Sequence, residues 1–155
     1  MGLRTDNGPF NVFAEAETII EFYNLDPMQI VWHGDYIDFF EIGRRSLLDK
    51  IDCGYNEIKD LGYEFPVVKI SVKYLRPLKY KDRICIKAIL MEYENCLRIK
   101  YEIRNAETGV IVTRGLSTQM ACNFKTGESC FNCPDVLIKK VDSLINKQKS
   151  GIPDA

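Results

Sequence analysis

The chain has 155 residues, 46% of them hydrophobic and 28% charged, a balance that fits one globular domain and leaves too little length for a second. With 21 basic against 22 acidic side chains and a net charge of -1, its surface as a whole is not the positive field of a nucleic-acid binder. Its longest apolar stretches, such as Ile84 to Met91, are broken by Lys87 and fall far short of the roughly 20 residues that span a bilayer.

Residues Glu15 to Tyr23, with Ile20 and Phe22 on one side and Glu21 on the other, predict a first strand, although Ala14-Glu-Ala-Glu17 is also good helix material. Next comes the one strong helix. Tyr36, Phe40, Gly43, Leu47 and Ile51 recur at spacings of four, three, four and four, giving an amphipathic helix of about four turns. Asp35 suits its N-cap and Gly54 its end. Gly43 costs about 1 kcal/mol against alanine, which implies something pressed closely on the backbone there.

Val68, Ile70, Val72 and Tyr74 alternate with Lys69, Ser71 and Lys73 until Pro77, predicting a second strand. Arg83 to Tyr93 leads through Glu94-Asn95 into the clearest strand, where Leu97, Ile99, Tyr101 and Ile103 alternate with charged residues. After the turn Asn105 to Gly109, Val110 to Asn123 forms another strand. A shorter helix runs from Pro134 to Lys149 on Val136, Leu137, Val141, Leu144 and Ile145, and the tail from Ser150 is expected to fray. The order is one strand, a long helix, four strands as a meander, and a terminal helix. It predicts an α+β single domain with a core of about 15–145, five antiparallel strands wrapping one hydrophobic helix.

The six cysteines read as reduced thiols, because the chain is large enough not to need disulfide staples and shows no apolar export signal at its start. Asp6 also stands where a myristoylation motif needs Ser or Thr, so the chain is expected to be cytoplasmic. Cys130-Phe-Asn-Cys133 is one C-x-x-C; Cys122 makes a third ligand and no fourth is evident, so two thiols near a turn are expected and no metal. With a single histidine, His33, chemistry must rest on carboxylates, backbone amides or that one imidazole.

The stretch Tyr23-Asn-Leu-Asp-Pro-Met-Gln-Ile-Val-Trp-His-Gly-Asp-Tyr-Ile-Asp-Phe-Phe-Glu41 resembles the signature of the 4-hydroxybenzoyl-CoA thioesterase family of hotdog-fold proteins. Asp26, Ile30-Val31, Trp32-His33, Tyr36 and Phe39-Phe40-Glu41 carry the likeness, supported by Tyr74-Leu-Arg-Pro77, Lys81-Asp82, Thr126-Gly127 and Pro134. It departs in two places: Met28-Gln29 replaces small residues that are often Gly-Gly, and Asp35 replaces an Asn.

The resemblance implies an acyl-CoA thioesterase of the hotdog fold, without a cofactor, built as an edge-to-edge dimer often paired into a homotetramer. It implies that the amide of His33, at the start of the long helix, polarises the thioester carbonyl while Asp26 acts from the other side as nucleophile or general base. Unpaired amides at a helix N-terminus suit that task by their own physics. An Asp-Pro pair by itself is also an ordinary turn, and a histidine there either orients the carbonyl or merely packs. Trp32, Gly34 and Tyr36 complete the expected substrate site. Glu41 reads as a helix carboxylate or a partner for Arg44 or Arg45, with a catalytic role in reserve. Arg76, Lys79, Lys81 and Arg83 form a basic cluster suited to coenzyme A phosphates or to solvent. A non-catalytic acyl-binding or assembly domain, and a thioesterase acting on acyl carrier protein, are the alternatives.

Overall fold

Nine residues or fewer of alternating character suffice for most strands here, and one sixteen-residue helix supplies the face they cover. In the computed structural model, which describes residues 6–150, the elements are β1 (Phe13–Ile19), α1 (Tyr36–Ile51), α2 (Tyr55–Asp60), β2 (Tyr63–Glu64), β3 (Val67–Tyr74), β4 (Arg83–Glu92), β5 (Leu97–Asn105), β6 (Ile111–Gln119), β7 (Cys122–Asn123) and α3 (Asp135–Lys149). Single 3-10 turns occupy Phe22–Asn24 and His33–Asp35. The tail beyond Ser150 and the first five residues lie outside the described residues.

Five strands pair antiparallel in the order β1-β4-β5-β6-β3, and α1 packs mainly against β1 and β4. This is the expected hotdog architecture with one correction. Only β4, β5 and β6 form a meander; β3 pairs with β6 at the edge opposite β1. Since every pairing is antiparallel, β1 and β3 run in the same direction, and parallel strands must be joined by a crossover rather than a hairpin. The helix between them is that crossover.

The first strand is also shorter than its alternation suggests. Asn24 stops it: its Oδ1 accepts the Glu21 amide at 2.8 Å and its own amide donates to the Glu21 carbonyl, winding Phe22–Asn24 into a turn. At the other end of α1, Asp52 closes the helix in a left-handed conformation (φ 65°), and Gly54 begins α2 instead. The last predicted strand breaks after Gln119, and its remainder, β7, pairs with β2 in a separate two-stranded sheet.

Inside, the close approach expected at Gly43 is to the sheet: a Cβ there would lie 2.9 Å from Ile86 Cγ2. Phe40 projects from the same helix, stacks on Tyr101 with ring centroids 4.5 Å apart, and lies on Gly115 of β6. Any Cβ on Gly115 would collide with the Phe40 ring. Gly115→Ala is therefore expected to cost about 1–3 kcal/mol, read from the midpoint of chemical denaturation, as an overpacked core must displace its ring or its backbone.

All six cysteines are free thiols. Burial pushes the Cys133 thiol up to about 12, and its amide donates to the Glu94 carbonyl at 2.7 Å, so it serves packing at the base of α3. Among the described residues no cluster of three or more His, Cys, Asp or Glu is arranged to hold a metal, and no helix is long and apolar enough to cross a membrane.

Candidate active site

Between β1 and α1 the chain makes two consecutive tight turns, the first specified by a side chain that bonds its own backbone and the second by backbone hydrogen bonds. Leu25 and Val31 pair as an isolated antiparallel bridge, and the loop they close is set by Asp26. Its Oδ1 accepts the Met28 amide at 2.8 Å, its carbonyl accepts from Gln29 and its amide donates to Ile30. Gln29 occupies a left-handed conformation (φ 62°), the position a glycine takes without strain. The loop thus keeps a glycine-type path while Met28, which a glycine-rich loop would lack, lines the cavity described below. Among the described residues, Asp26 Oδ2 has no protein donor.

The second turn leads into α1. The Trp32 amide donates to the Asn24 carbonyl and the Asp35 amide to the Trp32 carbonyl, forming the 3-10 turn His33–Asp35. Neither the His33 nor the Gly34 amide donates to a protein acceptor among the described residues. They are free N–H groups at the positive end of a sixteen-residue helix. Asp35 stands at the N-cap position without capping: its Oδ2 accepts from Asn24 Nδ2 at 3.0 Å, so a neutral amide already engages the carboxylate that departs from the family pattern.

A cavity of about 290 Å³ opens between this segment and the end of β3. Asp26, His33, Tyr36 and Arg76 all line it, which brings Arg76 beside the Asp26-to-Tyr36 segment. Met28, Ile30 and Val31 supply an apolar wall. Burial pushes the Tyr36 phenol above its ordinary value.

The other candidates lie around or beyond this cavity. Trp32 is half exposed, its ring 5.1 Å from that of His33 and pressed over Gly34. Lys79 and Lys81 belong to the following loop, where Asp82 Oδ2 accepts the Lys79 amide and Lys81 Nζ lies 5.4 Å from the centre of the Tyr80 ring; neither lines the cavity. Glu41 is outside it too. One of its oxygens pairs with Arg44 and the other accepts from the Tyr55 hydroxyl at 3.3 Å, the ion-pair reading of that carboxylate.

Tyr74 is the residue that periodicity underrated. Read as the last apolar position of a strand and as the start of the Tyr74-Leu-Arg-Pro77 likeness, with no role in the site, it lines the cavity, stands edge-on to Tyr36 at 5.0 Å, and donates its hydroxyl to the His33 carbonyl at 2.6 Å. A tyrosine where the alternation ends, on a strand followed by Leu-Arg-Pro, was the available signal.

Comparisons with known proteins agree with this architecture. The model of the Thioesterase-like superfamily matches residues 20–155. A Bacillus subtilis (strain 168) protein named "Putative acyl-CoA thioesterase YneP" is 28% identical over 80 residues, 52% of this chain and 58% of that protein. The chloroplastic acyl-acyl carrier protein thioesterase ATL3 of Arabidopsis thaliana is 28% identical over 76 residues, 49% of this chain and 40% of that protein. The chain thus spans about half the length of these curated relatives. Among solved structures, a DHNA-CoA thioesterase from Staphylococcus aureus superposes with a TM-score of 0.78 at 22% identity, covering 92% of this chain and 97% of the other.

Proposed function

Because the chain belongs to the Thioesterase-like superfamily, a family of thioester hydrolases, we propose that it hydrolyses an acyl-CoA thioester to a free acid and coenzyme A. The observation that carries this reading is the His33 amide at the start of α1, which among the described residues has no protein acceptor, on the same cavity as the Asp26 carboxylate, whose Oδ2 has no protein donor there.

The His33 amide donates to the thioester oxygen and stabilises the negative charge that develops when the carbonyl carbon is attacked. Asp26 drives that attack in one of two ways. As general base it takes a proton from water while the water oxygen bonds to the carbonyl carbon; collapse of the oxyanion then expels the coenzyme A thiolate, which takes that proton back from Asp26 as it leaves. As nucleophile its own oxygen bonds to that carbon, expels the thiolate, and leaves a mixed anhydride that water cleaves. Both routes return the carboxylate unchanged and need no redox or metal cofactor. Arg76 at the cavity, with Lys79 and Lys81 beyond it, supplies cations for the phosphates of coenzyme A. A narrower kinship with the 4-hydroxybenzoyl-CoA thioesterases is part of the same proposal and rests on the Asp26-to-Glu41 segment. So is a cytoplasmic location, which suits a coenzyme A substrate.

The likeness to the Arabidopsis enzyme favours one second reading, a carrier-protein thioester as substrate. A thiol-release assay over acetyl-, octanoyl- and benzoyl-CoA, and the same acyl groups on acyl carrier protein, tests both. Binding of these thioesters with no thiol release from any would sink the hydrolase and leave an acyl-binding domain.

β3 bears on the assembly. It is an edge strand, and Val67, Val68, Ile70 and Tyr74 are all exposed on it. An unpaired apolar edge is a template for another strand, and pairing with a second copy would cover it. Light scattering at micromolar concentration is expected to give at least twice the chain mass of 17.9 kDa, with a tetramer as the larger alternative; a monomeric mass contradicts the dimer.

A further inference from the structure

The geometry points to Tyr74 as a positioning residue for the oxyanion-binding amide, acting through the His33 carbonyl. This inference rests on the thioesterase reading and adds a residue to it.

A peptide unit is planar, so fixing the direction of its carbonyl fixes the N–H at its other end. Two such planes flank the His33 Cα. In the first, the Trp32 carbonyl accepts from the Asp35 amide at 3.0 Å, a bond that belongs to the 3-10 turn itself. In the second, the His33 carbonyl accepts from Tyr74 Oη at 2.6 Å, from a strand 41 residues away. The first bond orients the His33 N–H; the second holds the plane that carries the Gly34 N–H, and with it the His33 Cα that both planes share. Remove the Tyr74 bond and one plane stays tethered only through the first turn of α1.

The local surroundings strengthen the case. A carbonyl oxygen beside an oxyanion site is an electrostatic hazard, since its partial negative charge opposes the charge that must develop there. Tyr74 engages that oxygen with a donor and turns a lone pair away from use. The phenolic proton is committed to the carbonyl, which distinguishes this role from direct donation to substrate. The edge-on contact between Tyr74 and Tyr36 holds the phenol in place, and Tyr36 is itself the first residue of α1. The end of β3 and the start of α1 are thereby locked to one another across the cavity.

The test is Tyr74→Phe, which keeps the ring and its contact with Tyr36 and deletes only the hydroxyl. Kinetics use whichever of acetyl-, octanoyl- or benzoyl-CoA the unsubstituted enzyme turns over fastest. The expected result is a kcat lower by about ten- to a hundredfold, with KM within about threefold, because a displaced donor weakens the transition state more than the ground state. A second readout is the infrared carbonyl stretch of the bound ketone analogue of that thioester, with sulfur replaced by CH₂ and the carbonyl carbon labelled with ¹³C. In the unsubstituted protein the stretch shifts to lower frequency on binding, and in Tyr74→Phe it returns toward its free value.

Unchanged kcat overturns the inference. So does a rise in KM alone, a fall in kcat with the carbonyl shift intact, or a variant that no longer folds, each of which makes the hydroxyl a binding or structural group. If the unsubstituted protein hydrolyses none of the three thioesters, it is the thioesterase reading that fails, before Tyr74 is ever replaced.

Discussion

Asp26→Asn is expected to lower kcat by about 10²–10⁴-fold while leaving the melting temperature nearly unchanged. The expectation depends on the division of labour between its two oxygens. Oδ1 accepts the Met28 amide, and an asparagine Oδ1 accepts it equally well, so the loop between Leu25 and Val31 keeps its path. Oδ2 has no protein donor among the described residues, and an amide nitrogen in its place can neither take a proton from water nor attack a carbonyl. Steady-state kinetics together with a circular dichroism melt separate the two effects. Full turnover in a folded variant would make Asp26 a turn residue that happens to line a cavity.

His33→Pro is expected to lower kcat/KM by at least a hundredfold, and His33→Ala by much less, because proline deletes the amide and alanine keeps it. The site is unusually permissive for that comparison. The His33 amide donates to no protein group among the described residues, so proline removes no structural hydrogen bond. Trp32 already has φ -60° and ψ 136°, the extended conformation that a residue before proline adopts. His33 opens a helical turn, where the fixed φ of proline is suitable. Gel filtration and circular dichroism on both variants guard against a distorted turn. Equal losses in the two would assign the role to the imidazole, and the backbone would no longer be the oxyanion donor.

Much of this was legible in the amino-acid sequence because it is written in short-range patterns. The face of α1 that carries Tyr36, Phe40, Gly43, Leu47 and Ile51 is buried in the structure, and so are the alternating Leu97, Ile99, Tyr101 and Ile103, with Tyr101 stacked on Phe40 of the helix. Asp26 and His33, seven residues apart, do line one cavity. What periodicity could not convey was partnership. The alternation in β3 says which residues share a face and nothing about which strand lies beside it, so its place next to β6 was missed. α2 is too short for a helical period to stand out, and β2 and β7 are two residues each. Glu41 shows the same limit. Its pairing with Arg44, three residues on along the same helix, was among the readings of the sequence, whereas its contact with Tyr55 depends on where α2 sits.

The placement of β1 against β4 shapes how the molecule must be made. Ile19 lies opposite Arg83, and every other β1 residue pairs with a still later one. During synthesis from the N-terminus, β1 and α1 leave the ribosome before any strand that can cover them exists. At about 5–20 residues per second, several seconds pass in which Phe39, Phe40, Leu47 and Leu48 have no sheet to pack on. Only when β4, β5 and β6 have emerged and closed through their short turns does that helix acquire a floor. A nascent chain of this protein therefore exposes its most apolar helix while the segment from Asp52 to Gln119 is made, and a chaperone that holds amphipathic helices would meet it there first.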